Sequence, residues 1–198
     1  MQLDTVPREL TPELLAFCGT ISDEAPCFVP SVPGTGAVLG SCFDNVAREV
    51  ERSGGSIVHG WAIWHLRGAY YEAEHHGIWS TPGGELLDVT PQLNGAPKLL
   101  FLPDLCATYD PARFRRNVIE AEAGNAVAAE FVRFARRRSE IVDSYRAGSP
   151  QIAKMTIVHK MEVALIMLRM NDLLERLRAG GLETCDLGRV DACARQAS

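Results

Sequence analysis

Between Ser56 and Val89 the chain holds three runs of aromatic and β-branched residues, Ser56 to Trp64, Tyr70 to Ser80 and Glu85 to Val89, separated only by Leu66-Arg67-Gly68 and Thr81-Pro82-Gly83-Gly84. Runs of this length and composition joined by such short turns form consecutive antiparallel strands. From Asp110-Pro111 onward the apolar spacing changes to a helical period, with a cap residue followed by proline at the first helical position. Strands followed by helices give an α+β architecture rather than alternating βαβ units.

The flanking segments complete this outline. A short helix is expected near Pro12 to Cys18, followed by an irregular loop from 22 to 41 rich in Pro, Gly, Ser and Asp. Phe43, Val46, Ala47 and Val50 recur at helical spacing after it, Ser41 is placed to cap with Asp44 three residues later, and Gly54-Gly55 ends the pattern. The apolar run Lys98 to Pro103 is expected as an edge strand, since Pro97 and Pro103 bracket it. Val127, Phe131, Phe134, Ile141 and Tyr145 mark one late helix, and Gly148-Ser149-Pro150 turns into a second, Gln151 to Arg178, closed by Gly180-Gly181. The expected organisation is a core over 1–110, a helical hairpin over 111–182 and a loose tail over 183–198.

Charge and cysteine content exclude several classes. A net charge of −5 argues against general affinity for nucleic acid or anionic lipid. It is divided unevenly, with 5 Lys and Arg against 14 Asp and Glu up to residue 110 and 15 against 11 beyond it. Arg136-Arg137-Arg138 lies on a helix that also carries Glu130 and Glu140 and reads as a solvated face. No stretch approaches the roughly 20 apolar residues of a membrane-spanning helix, and the first residues lack a basic start with an apolar run, so a cytoplasmic protein is expected. The six cysteines form no Cys-x-x-Cys pair, so reduced thiols are expected rather than a zinc ribbon or a disulfide framework. The methionines at 155, 161, 167 and 170 read as helix packing, against the sheet or in a homo-oligomer through the C-terminal helices.

One cysteine stands apart. A thiol in the first turn of a helix, as Cys42 is expected to be, meets free backbone N–H groups and the positive end of the macrodipole, which favour a sulfur anion and can hold an oxyanion. Such a nucleophile needs an imidazole and a group to orient it. His76 on the second strand and Asp88 on the third are joined by a tight turn, which brings them side by side. His75 is the rival base, but adjacent strand residues face opposite ways and one of the pair is excluded. A metal site from Glu72, Glu74 and His76 with His59 or His65 is disfavoured, because three ligands from one strand converge poorly. Gly34-Thr35-Gly36 lacks the strand and the Gly-Lys-Ser/Thr of a phosphate loop.

Ser41-Cys42 at a helix start, Ile57-Val58-His59-Gly60-Trp61, His76-Gly77-Ile78-Trp79 and Leu87-Asp88-Val89-Thr90-Pro91, in that order, resemble the transglutaminase-like branch of the papain-like superfamily across roughly residues 40–104. The resemblance implies a papain-like, transglutaminase-like core in which Cys42, His76 and Asp88 are nucleophile, base and orienter of acyl transfer or amide hydrolysis. It implies a cofactor-free and metal-free enzyme acting on an amide, ester or thioester in a small molecule, a peptide or a carrier-bound acyl group. The Gln that papain-type enzymes carry shortly before the cysteine is missing. Asn45, Ser41 and the indole N–H groups of Trp61 and Trp79 are the candidate substitutes, and Glu74 is expected to line the cleft. The competing reading is a non-catalytic binding or regulatory module on the same scaffold.

Overall fold

The computed structural model describes residues 5–92, 95–111, 113, 115–146 and 154–194, with side chains only up to 179. Its architecture is α+β, a small antiparallel sheet with four helices. The chain divides into two compact units, one of residues 1–66 with 71–119, the other of 67–70 with 120–198.

In the first unit, α1 (Pro12–Gly19) starts where the Thr11 hydroxyl accepts the Leu14 N–H at 3.3 Å, with proline at its first position. β1 (Cys27–Pro30), α2 (Cys42–Ser53), β2 (Ser56–Leu66), β3 (Tyr70–Ser80), β4 (Leu86–Leu87) and β5 (Lys98–Pro103) follow. The strand order is β1-β5-β2-β3-β4, and β6 (Val118–Ala121) pairs with β3. Alternate residues divide between the two sheet faces. Trp61, Ile63, Tyr71, Ala73, Leu100 and Leu102 pack with Leu14, Phe17 and Cys18 of α1 on one face. Ala62, Ile78, Leu99, Phe101 and Val29 fill the other.

Several expectations are corrected here. Lys98–Pro103 is not an edge strand: it lies between β1 and β2, with Leu99 to Leu102 fully buried. Each of those four side chains is worth about 1.5–3 kcal/mol when taken out of water, and only an interior strand covers both faces of such a run. Its edge partner is β1, inside the segment expected to be wholly irregular, in antiparallel register from Cys27 opposite Phe101 to Pro30 opposite Lys98. The third expected strand shrinks to Leu86–Leu87, because Asp88 leaves β3 and its N–H bonds to Pro30 O at 2.9 Å, while Val32 N–H bonds to Asp88 O at 2.8 Å. Asp110-Pro111 opens no helix; Arg113 N–H closes a turn on Asp110 O at 2.9 Å, and extended β6 comes next.

In the second unit, α3 (Ala126–Ser144) begins at Asn125, whose side chain accepts the Ala128 N–H at 2.9 Å. α4 (Ile157–Ala194) runs through Gly180 and Gly181 and through most of the stretch expected to be a loose tail. The expected turn at Gly148-Ser149-Pro150 and the helix start at Gln151 lie outside the described residues. Arg137 pairs with Glu162 at 2.8 Å and Arg169 with Glu130 at 3.2 Å, so positions climb on one helix as they descend on the other and the two run antiparallel. Met161, expected to pack, is 61% exposed, alongside exposed Ile157, Val158, Leu165 and Leu168.

Gly60 tests the central ladder. A Cβ there would stand 2.2 Å from Leu102 O and 2.7 Å from the Phe101 ring, both buried in the interior strand. Gly60→Ala is expected to cost about 3 kcal/mol in urea unfolding. Gly19→Ala, whose Cβ meets open space, is expected to change stability by less than about 1 kcal/mol.

Candidate active site

Cys42 is the first residue of α2 and is half-buried. The chain reaches it through the turn Val38 to Ser41, closed by Ser41 N–H on Val38 O at 3.2 Å, with Gly40 at φ +76°, a conformation natural to glycine alone. Ser41 occupies the cap position, but its hydroxyl makes no capping bond, contrary to the expected Ser-x-x-Asp start. Asn45 fastens the turn instead. Its Oδ1 accepts the Val38 N–H at 2.9 Å, and its Nδ2 donates to Val38 O at 2.8 Å and to Thr90 Oγ1 at 3.2 Å. Arg48 also donates to Oδ1. Ser41 thus supplies no side-chain acceptor to the first-turn N–H groups of α2, which lie at the positive end of the helix dipole.

The interior of β3 carries His76, which is buried and whose Nε2 lies 3.1 Å from Asp88 Oδ1. A carboxylate only accepts, so Nε2 holds the proton and Nδ1 is the nitrogen left for a second partner. The Cys42 thiol adjoins the ring and, like Asp88, favours its protonated form. Burial alone would drive the imidazole toward its neutral form, but Asp88 and Cys42 outweigh it, and the pKa is pushed up to about 10.

Asp88 is fully buried and its oxygens are filled. Oδ1 accepts from His76 and from Thr90 N–H at 3.1 Å, while Oδ2 accepts from Ser31 Oγ at 3.2 Å and from the Gln92 carboxamide at 2.5 Å. The isolated bridge between Ser31 and Asp88 explains why the third strand ended early: Asp88 crosses from the β3 side of the sheet to the end of β1. Thr90 lies within the Asp-Val-Thr-Pro stretch already noted, but nothing in the sequence pointed to Ser31 or Gln92, which reach Asp88 only through that crossing.

The other candidate side chains are occupied elsewhere. Asn45 has both ends of its amide engaged, which removes it as an oxyanion donor and makes it a clamp. Trp61 Nε1 donates to buried Asp104 at 2.9 Å. Trp79 Nε1 donates to Gly54 O at 2.9 Å, at the end of α2 opposite Cys42. Glu74, an exposed residue of β3, accepts from Trp64 Nε1 at 3.1 Å. His75 turns the other way from His76: its Nε2 lies 2.6 Å from Ala107 O and its ring 4.8 Å from that of Phe43. Burial first, then the Arg115 charge, holds both His59 and His75 below the usual imidazole range. Phe43, beside Cys42 in sequence, stacks on Tyr109 at 4.0 Å. Among the described residues no group of three or more His, Cys, Asp or Glu is arranged to hold a metal ion, and no helix is long and apolar enough to cross a membrane.

No protein-family model, curated protein or solved structure matches this chain.

The His76 environment has a consequence for stability. Because its folded pKa is raised above the unfolded value of about 6.5, its contribution is fully present below that pH and is lost as pH rises toward about 10. Urea unfolding of the native chain and of His76→Gln is expected to differ most at pH 6 and to converge by pH 10. A gap that widens with pH contradicts the assignment.

Proposed function

We propose that this chain is a cysteine-dependent hydrolase or acyltransferase built on a papain-like, transglutaminase-like core, acting on an amide, ester or thioester carbonyl in a small molecule, a peptide or a carrier-bound acyl group. The observation that carries the reading is the continuous line from the Cys42 thiol through His76 to fully buried Asp88, starting at the uncapped N-terminus of α2. A sequence of unrelated polar contacts would not require a buried imidazole between a thiol and a carboxylate.

The chemistry follows from the charges. An imidazolium held between Asp88 and the sulfur is the counter-ion of a sulfur anion. That anion attacks the carbonyl carbon and forms a C–S bond, while the electron pair displaced onto oxygen is met by the first-turn N–H groups of α2. His76 gives its Nδ1 proton to the leaving amine, alcohol or thiol as its bond to the carbonyl carbon breaks. Water or an amine then yields a proton to His76 and attacks the acyl-enzyme, releasing product and restoring the ion pair. Asp88 keeps the ring oriented throughout and compensates its charge.

Labelling with an iodoacetamide–alkyne probe at pH 6 is the test. Burial pushes Cys18 up to about 11 and raises Cys27 as well, whereas Cys106 is exposed without being part of this arrangement. Cys42 is expected to react at least about tenfold faster than Cys106, and Cys42→Ala is expected to remove the fast phase. His76→Ala is expected to slow it by about 100-fold, and Cys106→Ala to leave it intact. Equal rates at all accessible thiols refute the enzyme reading in favour of a non-catalytic module.

A further inference from the structure

Asp88 is an unusual residue to bury at the end of a two-residue strand, and the way its charge is met singles out a group the three-residue mechanism does not use. Asp88, Val89, Thr90, Pro91 and Gln92 fold back on themselves. Thr90 N–H returns to Asp88 Oδ1 in an Asx turn, and the Gln92 carboxamide returns to Oδ2. Thr90 Oγ1 accepts from Asn45 Nδ2, so the same loop is tied to the helix that carries Cys42. A chain of hydrogen bonds thus runs from Asn45 through Thr90 and Asp88 to His76, which adjoins the Cys42 thiol. Gln92 stands just outside this chain, its Nε2 donating to Asp88 Oδ2 at 2.5 Å and, at 3.5 Å, to Thr90 O.

We propose that Gln92 is a positioning residue of the reaction proposed above: its carboxamide occupies Asp88 Oδ2 and so leaves Oδ1 directed at His76. The inference rests on the enzyme reading. The titratable group facing Asp88 is His76 on β3; the other neighbours are the Ser31 hydroxyl at the end of β1, the Thr90 N–H and Gln92 itself. None of the other three carries charge. With Gln92 removed, the donor left to Oδ2 among the described residues is Ser31, through a longer contact of 3.2 Å. Without that donor the carboxylate is free to turn, and an imidazole no longer held by Oδ1 stabilises the sulfur anion less.

The experiment is the pH dependence, from 4.5 to 9, of iodoacetamide–alkyne labelling at Cys42 in the native chain, Gln92→Ala and Gln92→Met, with Cys42→Ala as the blank and circular dichroism as a check of folding. Methionine fills the same volume without a donor, so the comparison survives if the alanine variant misfolds. In both variants the acid limb of the profile is expected to move to higher pH, so that the rate at pH 5 relative to the variant's own rate at pH 8 falls about tenfold. Ser31→Ala is expected to move it less. A merely structural role lowers the rate by a constant factor or lowers stability and leaves the shape unchanged. Superimposable normalised profiles, with a fast Cys42 in the native chain, overturn the role of Gln92 alone. Absence of a fast Cys42 in the native chain overturns the role of Gln92 together with the enzyme reading.

Discussion

A carboxylate with no exposure to water has to be compensated where it stands, and the pairing of Asp88 with His76 is the constraint around which the first unit is arranged. Two charged partners at 3.1 Å do not suffice for a buried anion with four acceptor directions. The remaining directions draw in Ser31 from the end of β1 and Thr90 and Gln92 from the following loop. That requirement pulls Asp88 off the β3 ladder after two paired residues, and so decides the shape of the sheet edge as well as the orientation of the imidazole.

The second support is the attachment of α2. Its N-terminus is not sealed by Ser41, and a helix end left open in this way needs to be held by something other than its cap. Asn45 does so from one turn inside the helix, gripping both backbone groups of Val38 and the Thr90 hydroxyl. Farther along, Glu49 is buried and takes a two-point contact from Arg52, at 2.6 and 2.8 Å. The helix is fixed by side chains beyond its first turn, which receives no side-chain bond from its cap. The same residue that looked suited to stabilise an oxyanion is therefore engaged in keeping the backbone donors of the helix where they are.

How far the sequence reveals this arrangement depends on range. The α2 helix with Cys42 at its start, and the β2–β3 hairpin carrying His76, are legible because the signals are local: apolar spacing, glycine stops and short turns. β1 and the interior position of β5 are not legible, since each is a short run bracketed by prolines and only mutual pairing across distant sequence makes either one a strand. Asp110-Pro111 is a true local signal with two outcomes, helix start or turn, and the chain takes the turn. Asn45 was read as a donor from its spacing to Cys42; its actual partners, Val38 and Thr90, become neighbours only once the loop and the Asp88 crossing are both formed. Ser31 and Gln92 belong to the same category.

The crossing of Asp88 to the end of β1 also bears on when, during folding, the thiol acquires its neighbours. The hairpin bearing His76 joins nearby residues, whereas Ser31 meets Asp88 from the end of Cys27–Pro30, which pairs with Lys98–Pro103 far along the chain. The full set of donors to Asp88 therefore depends on this long-range pairing. The set of bonds that fixes ring and carboxylate is a property of the finished sheet rather than of the local hairpin.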